Sequence, residues 1–316
     1  MDAGDVLRNS LLWMADSSTV RATIEKAPVS RSVVKRFVAG DAIDDAVSVT
    51  AELRQTNRMV TIDYLGEDTL DLALAERTRD TYLRLLAALS DRGLTEGGTA
   101  EVSVKLSAVG QSLPGDGERV ALDNARAICE AARDAGTTVT LDMEDHTTTD
   151  STLSVLAELR KDFPSTGAVL QAYLHRTEGD CRDLAYEGSR VRLCKGAYKE
   201  PESVAYQAKE DVDKSYVRCL KVLLAGAGYP MVASHDPRLL EIARALAAHN
   251  GRSHDSMEYQ MLLGIRPGEQ RRIADRGDTM RVYIPFGDEW YGYLMRRMAE
   301  KPANTMFFLR GLATKG

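Results

Sequence analysis

The chain has 316 residues, of which 44% are hydrophobic and 28% are charged, and its formal net charge is -6. This balance supports a large buried core and excludes a disordered chain. The negative net charge also argues against the basic face that binds the phosphate backbone of nucleic acids, so nucleic acid is not expected as a partner.

The cysteines and the hydropathy pattern bear on where the protein works. The four cysteines form no CxxC pair, so neither a zinc site nor a disulfide framework is predicted. The sequence starts without a basic-then-apolar signal, and no apolar stretch approaches the roughly 18 to 20 residues that span a bilayer. We therefore expect a cytoplasmic protein, and any work at a membrane would be done from its surface, at the inner face of the cytoplasmic membrane.

Eight short segments rich in β-branched and apolar residues have the length of strands. Most of them are separated by stretches with helical spacing, such as 68–89, 118–135 and 204–224. Several of these stretches end in a glycine for which a left-handed helix cap is expected, at Gly93, Gly136 and Gly228. The eight strand segments are 59–66, 101–110, 138–145, 167–174, 190–198, 229–236, 256–264 and 280–287.

The alternation of strands and helices predicts an α/β fold with a parallel sheet. Eight units fit either an open, doubly wound sheet or a closed barrel, and the count of eight favours a (βα)8 TIM-like barrel. Residues 1–58 carry helical patterns without a strand, namely Val6–Met14, Arg31–Phe37 and Ala42–Arg54. We therefore expect residues 1–58 to form an N-terminal helical extension packed on the barrel, and residues 59–316 to form the catalytic barrel.

The active site of such a barrel lies at the C-terminal ends of its strands, so the polar residues at these ends are the candidates. Lys105 lies on the same face of its strand as Ser103, which points it into the barrel or its rim. A lysine buried there needs an anionic partner, which could be Asp142, Glu144 or a ligand. The other polar residues at strand ends are Asp63, Asp145, Gln171, Arg192, Lys195, Ser234, His235, Gln260 and Tyr283.

Two further patterns carry positive charge. Arg192 and Lys195 precede a Gly196-Ala197 turn, where a small backbone would let an anionic cofactor approach, although ion pairs to neighbouring strands would explain the same two cations. His235, taken alone, is more often a structural hydrogen-bonding residue than a catalyst. No histidine has the spacing of a metal site, and no Rossmann or P-loop motif occurs, so we expect no metal and no Rossmann-bound nucleotide.

The last helical stretch places four polar or aromatic residues on one face, at positions three or four apart. Paired arginines bind a carboxylate through forked hydrogen bonds, so this face suits a substrate carboxylate. A solvated helix with an ordinary Arg–Glu pair is the alternative. The four residues are Tyr293, Arg296, Arg297 and Glu300.

Taken together and in order, these motifs resemble the proline dehydrogenase family, specifically its short monofunctional bacterial type. The resemblance covers about residues 59 to 310 and implies a distorted barrel with FAD across the strand ends and the final helix over the substrate. It also implies oxidation of L-proline to Δ1-pyrroline-5-carboxylate, the first step of proline catabolism to glutamate. Electrons would pass to ubiquinone or menaquinone during transient membrane contact. The motifs are VSVKLSA, LDMEDH, LQAYL, VRLCKGAY, ASHD, MEYQMLLG, VYIPFG and YGYLMRRMAEKPAN.

The resemblance also implies residue roles. Lys105, Arg296 and Arg297 would bind the proline carboxylate, with Glu300 holding the arginines. Asp142 matches an active-site aspartate and is assigned to orient Lys105 and to tune local charge. The ring and wall of the substrate site would be formed by Tyr283, Tyr293 and Leu262. The flavin would be contacted by Arg192 near N5, by Gln171 at the isoalloxazine edge, and by Met143, Lys195, Gly196, Ala197, Ser234 and His235.

The motifs depart from the family pattern at Cys194, Lys199 and Ser234, which bears on packing and flavin tuning more than on the reaction. Two other interpretations of the sequence remain open. One is an aldolase or Schiff-base enzyme that uses Lys105 or Lys195, because lysines at barrel strand ends serve as nucleophiles when their pKa is lowered. The other is a binding or scaffold protein without a flavin.

Overall fold

The computed structural model describes Val34, residues 36–291 and Tyr293. These residues form eight strands, one for each segment predicted from the sequence, although β2 begins one residue before its segment. The strands are β1 Met59–Tyr64, β2 Ala100–Val104, β3 Val139–Leu141, β4 Ala168–Gln171, β5 Arg190–Cys194, β6 Tyr229–Ala233, β7 Glu258–Leu262 and β8 Met280–Phe286.

All strand pairs are parallel, and the spatial order is β3-β2-β1-β8-β7-β6-β5-β4. The circle is completed between β3 and β4 by a short bridge that pairs Thr140 with Gly167. At this seam the Leu141 N–H donates to the Gly167 carbonyl at 2.9 Å, and the Gly167 N–H donates to Val139 at 2.8 Å. The closed barrel predicted from eight units is thus confirmed, and the open sheet is excluded.

Among the helices whose bounds lie wholly within the described residues, seven follow the first seven strands and one precedes β1. The preceding helix, α1, packs on β1, β8 and α2, and it confirms the helix predicted at 42–54. The rest of the proposed 1–58 extension lies largely outside the described residues, so that boundary remains a prediction. The helices are α1 Ile43–Arg54, α2 Leu72–Ser90, α3 Gly117–Asp134, α4 Thr149–Arg160, α5 Thr177–Leu184, α6 Lys209–Ala225, α7 Pro237–His249 and α8 Pro267–Asp275.

The predicted glycine caps are confirmed at two of three positions. Gly93 and Gly136 adopt positive φ angles of +64° and +73° just after α2 and α3. The prediction was wrong at Gly228, which is absent from the positive-φ glycines. A Cβ at Gly228 would lie 2.7 Å from the carbonyl oxygen of Ser189. Close backbone packing, rather than a left-handed turn, therefore requires the glycine here.

The inside of the barrel carries charge, in contrast to the apolar filling common in such barrels. Glu101 on β2 is fully buried and lies 2.6 Å from Arg190, 3.8 Å from Arg192 and 3.8 Å from Arg281. Glu258 on β7 lies 2.8 Å from the same Arg281. Burial alone would raise the pKa of Glu101, but the three guanidinium groups outweigh it and lower this pKa to about 2.

Replacing Glu101 by glutamine should lower the free energy of unfolding at pH 7 by about 3 to 5 kcal/mol, because three buried arginines lose a counterion. The folded-state pKa lies below the ordinary value of 4.5, so this stabilisation is present above about pH 4.5 and is lost as the pH falls towards 2. Denaturant unfolding of wild type and variant at pH 7 and pH 3 measures the effect. Glu118→Gln, at an exposed position in α3, is the control. An equal difference between wild type and Glu101→Gln at both pH values would contradict the assignment.

Candidate active site

Side chains at the C-terminal ends of several strands converge on one cluster inside the barrel. Sheet register brings them together: β1 pairs with both β2 and β8, so Asp63 lies beside Ser103 and Thr61 lies beside Tyr283. Asp142 directly follows β3, and its N–H donates to the Val104 carbonyl at 2.8 Å. The strand-end positions singled out in the sequence therefore share one end of the fold.

The Asp142 carboxylate is the centre of this cluster. Its Oδ1 accepts hydrogen bonds from Arg192 Nη1 at 2.6 Å and from Ser103 Oγ at 2.8 Å. Its Oδ2 accepts one from the Tyr283 hydroxyl at 2.8 Å. Burial, together with the charges of Asp142 and Asp63, raises the pKa of Tyr283 well above its ordinary value. Tyr283 is therefore a neutral phenol that serves Asp142 as a hydrogen-bond donor.

The Arg192 guanidinium is held on several sides. Its Nε donates to Gln260 Oε1 at 2.6 Å, and its Nη1 reaches Ser103 Oγ at 2.9 Å as well as Asp142. The guanidinium carbon also lies 5.4 Å from the centre of the Tyr283 ring, a cation–π distance. The ion pair that sequence analysis considered for Arg192 is present, but it runs across the barrel to β3 instead of to a neighbouring strand.

Lys105 pairs with Asp63 and not with Asp142 or Glu144, the two carboxylates considered from the sequence, while a ligand anion stays a prediction. Its Nζ lies 2.6 Å from Asp63 Oδ2, and the lysine side chain is only 12% exposed. The assignment of Asp142 to orient Lys105 is corrected in the same way, because Asp142 acts on Lys105 only through its charge. Burial alone would lower the pKa of Lys105, but the carboxylates of Asp63 and Asp142 raise it. Lys105 is thus an ammonium group at neutral pH.

Glu144 is another buried carboxyl group near the ends of the strands. It accepts hydrogen bonds from the N–H of Ser107 at 3.1 Å and from the Ser107 hydroxyl at 2.6 Å. Burial raises the pKa of Glu144 to about 7, against the effect of the Ser107 hydrogen bonds. The Glu144 main-chain carbonyl accepts from Gln171 Nε2 at 2.6 Å, which fixes this predicted flavin contact. Sequence analysis did not single out Ser107.

The Lys195-Gly196-Ala197 turn follows β5 at the rim. Lys195 Nζ lies 2.5 Å from Asp213 and 3.5 Å from Asp236, so its charge is shared between the starts of α6 and α7. Gly196 has a φ of +113°, and a Cβ there would lie 2.3 Å from the Tyr173 ring. Packing of Tyr173 therefore requires this glycine. The close approach of a ligand, inferred from the sequence, is not needed to explain it.

The remaining predicted residues, except Tyr293 of the last helix, end a strand or follow one within two residues. His235 Nε2 accepts a hydrogen bond from the Leu262 N–H at 3.0 Å, so the two residues position each other. Ser234 Oγ accepts from the Asp236 N–H at 3.1 Å, and Met143 is buried. Tyr293 is buried as well.

The other predicted residues of the last helix, Arg296, Arg297 and Glu300, lie outside the described residues. Within the part of the chain that the structure describes, no cluster of three or more His, Cys, Asp or Glu side chains could hold a metal ion. The same part contains no helix that is long and apolar enough to cross a bilayer.

Comparison with known proteins places the chain. A family model described as proline dehydrogenase matches residues 46–310. Proline dehydrogenase 1 of Bacillus subtilis strain 168 is 36% identical over 310 residues, which are 98% of this chain and 100% of that one. The proline dehydrogenase of Deinococcus radiodurans is 38% identical over 283 residues, which are 89% of this chain and 90% of the relative.

Solved structures agree with this comparison. The crystal structure of proline utilization A from Bdellovibrio bacteriovorus, inactivated by N-propargylglycine, superimposes with a TM-score of 0.81 at 26% identity. The match covers 98% of this chain and 38% of that longer one. On the sequence match, the chain belongs to the proline dehydrogenase family.

Proposed function

We propose that the chain oxidises L-proline to Δ1-pyrroline-5-carboxylate with FAD as its cofactor, and that a membrane quinone, ubiquinone or menaquinone, takes up the electrons. Family membership supports the reaction. The observation that carries the substrate assignment is the Lys105 ammonium group, which Asp63 holds at 2.6 Å beside the Asp142 cluster. The reaction with quinone would involve transient contact with the inner face of the membrane.

The part of the site that binds the substrate has to neutralise the negative charge of the proline carboxylate. Burying an unpaired carboxylate is costly, so a small acid needs fixed cations around it. Lys105 offers one cation, because its raised pKa keeps it charged. Arg296 and Arg297 would offer two more, with Glu300 orienting them. Apolar and aromatic contacts to the ring would come from Tyr283, Tyr293 and Leu262.

The cofactor side offers a donor set that suits a flavin nucleotide. The Arg192 guanidinium and the Gln171 amide are buried donors at strand ends, and Lys195 adds a partly exposed ammonium group. These groups match a ligand that is anionic at its phosphates and accepts hydrogen bonds along its ring. Arg192 and Gln171 would hold the ring, and Met143, Lys195, Gly196, Ala197, Ser234 and His235 would line the rest.

When bound, the flavin supplies the acceptor for the hydride from C5 of proline, a step that no protein side chain can perform. The protein contributes orientation and charge. Lys105 fixes the carboxylate, while Tyr283 and Asp142 keep Arg192 in one position. Since the Asp142 carboxylate already accepts three hydrogen bonds, its role is to hold these donors in place, not to remove a proton.

The geometry disfavours a Schiff-base enzyme that uses Lys105. A nucleophilic lysine needs a lowered pKa, so that the free amine is populated near neutral pH. The pKa of Lys105 is raised by the carboxylates of Asp63 and Asp142. Its ammonium group is therefore suited to binding an anion and not to attacking a carbonyl.

The purified protein should be yellow and absorb at about 450 nm, and proline added without oxygen should bleach this band, because hydride transfer reduces the flavin. Anaerobic absorbance spectroscopy with proline, and with D-proline as a control, measures this. A colourless protein that binds no FAD on reconstitution would refute the cofactor. A flavin band that proline leaves unchanged would refute the substrate.

Asp63→Asn should weaken binding of cyclopentanecarboxylate, a proline analogue without an ionisable amine, by about tenfold or more, because Lys105 loses its orienting partner. Asp63 raises the pKa of Lys105, so its removal should also lower the pH above which this anion dissociates. Titration of the flavin spectrum between pH 6 and 10 gives both quantities. Asp275→Asn, at an exposed position in α8, is the control. Equal affinity and an equal pH limit in wild type and Asp63→Asn would argue against Lys105 as the anion-binding cation.

A further inference from the structure

Ser107 joins three segments at the mouth of the barrel. It lies in a short 3-10 turn, Ser107–Val109, just after Lys105. Its N–H and hydroxyl donate to the two carboxylate oxygens of Glu144 at 3.1 and 2.6 Å. Its hydroxyl oxygen accepts from the Asp68 N–H at 3.0 Å, and its carbonyl accepts from the Thr69 N–H at 3.1 Å. Every polar group of Ser107 is therefore engaged.

These contacts form a continuous chain across the site. The Glu144 carbonyl accepts from Gln171 Nε2 at 2.6 Å. The series of hydrogen bonds therefore runs from the loop after β1, through Ser107 and Glu144, to the end of β4. Ser107 and Glu144 are buried at 1% and 6% exposure. Hydrogen bonds shielded from water in this way are stronger than exposed ones, and breaking one leaves a buried polar group unsatisfied.

The segment held at the outer end is loop 65–71, which joins β1 to α2. Asp68 in this loop has a φ of +54°, an unfavourable conformation for a residue other than glycine. Such a conformation persists only where surrounding contacts enforce it, and here two consecutive N–H groups bond to Ser107. The loop begins two residues after Asp63, and the charge of Glu67 within it acts on both Lys105 and Glu144. The loop therefore lies close to Lys105, the cation proposed to bind the substrate carboxylate.

We propose that Ser107 and Glu144 are positioning residues that fix loop 65–71 at the mouth of the barrel, so that substrate binding does not have to order it. This inference rests on the proposed function. A loop that is already ordered removes the entropic penalty that would otherwise weaken binding. Loosening it should affect the Michaelis constant more than the chemical step, because neither residue belongs to the Asp142 cluster.

Three variants separate the contributions. Ser107→Ala removes the hydroxyl that bonds both Glu144 and Asp68, and Glu144→Ala removes the carboxylate. Glu144→Gln keeps the acceptor for the Ser107 N–H, but its amide nitrogen donates to the Ser107 hydroxyl oxygen, which reverses that hydrogen bond and removes the acceptor of the hydroxyl hydrogen. Ser154→Ala, at an exposed position in α4, is the matched control. Thermal unfolding verifies that each variant is folded.

Amide hydrogen exchange reports the loop directly, in the purified protein and without substrate. Exchange at Asp68 and Thr69 should be at least about tenfold faster in Ser107→Ala and Glu144→Ala than in wild type. Ser107→Ala removes the acceptor of the Asp68 N–H, and Glu144→Ala removes the carboxylate that holds Ser107, so in both variants the loop is held less firmly. KM for proline should rise about five- to tenfold in both variants, with kcat within about twofold. Glu144→Gln should lie between wild type and Glu144→Ala in both measurements, and Ser154→Ala should match wild type.

Unchanged exchange at Asp68 and Thr69 in Ser107→Ala would overturn the inference. So would faster exchange with an unchanged KM, or a Glu144→Gln variant as impaired as Glu144→Ala, which would make the charge itself the active element. Should Glu144→Ala not fold, Ser107→Ala decides the question alone. Failure of the proposed function would look different, since the exchange rates would change as expected while wild type would show no oxidation of proline.

Discussion

Charge buried inside the barrel has to be neutralised locally, and the rest of the site depends on how this is done. An isolated ion in a low-dielectric interior is prohibitively costly, so Glu101, Asp142 and Asp63 each lie against a guanidinium or ammonium group. Arg192 connects the Asp142 cluster with the network of buried ion pairs around Glu101 and Glu258. It bonds Asp142 at 2.6 Å, and its Gln260 partner donates to Glu258 at 2.5 Å in the deeper network. Stability of the barrel and geometry of the site therefore share one set of contacts.

Lys105 illustrates how this requirement selects a chemical role. The same side chain in an apolar setting would have a lowered pKa and could act as a nucleophile. Two carboxylates instead raise the pKa of Lys105 and hold it as a cation at the barrel mouth. Binding of an anion is what such a group does best. The distinction between a redox enzyme and a Schiff-base enzyme thus depends on Asp63, which sequence analysis noted only as a strand end.

Periodicity predicted the eight strands and the barrel because both are set by local alternation of apolar residues and by the number of units. The rule that polar residues at strand ends form the site also led to Lys105, Asp142 and Arg192. Pairing between side chains was not predictable. Lys105 has a strand on either side, and the sequence offers no way to choose between β1 and β3. Asp142 bonds Arg192 across the barrel, a contact that depends on curvature and register.

Local backbone preferences had the same limit. The sequence suggested ligand approach as the reason for Gly196 and a helix cap as the reason for Gly228. The structure gives other reasons, the Tyr173 ring for Gly196 and the Ser189 carbonyl for Gly228, and both groups come from other segments. The last helix is a different case, since the roles of Arg296, Arg297 and Glu300 come from their spacing and from the resemblance to the family. For these three residues the sequence predicts a shared helical face.

The ion pair and the loop above it are linked through the chain itself. Asp63 leads along β1 into loop 65–71, and Lys105 leads within two residues to Ser107. Segments 63–69 and 105–107 are joined at one end by the Asp63–Lys105 ion pair at 2.6 Å. They are joined at the other end where Ser107 bonds Asp68 at 3.0 Å and Thr69 at 3.1 Å. A ring closed in this way by covalent bonds, an ion pair and hydrogen bonds resists movement better than either segment alone. Displacing loop 65–71 would therefore also disturb the orientation of the Lys105 ammonium group. The position of the loop and the position of the charge that binds the anion are coupled in this way.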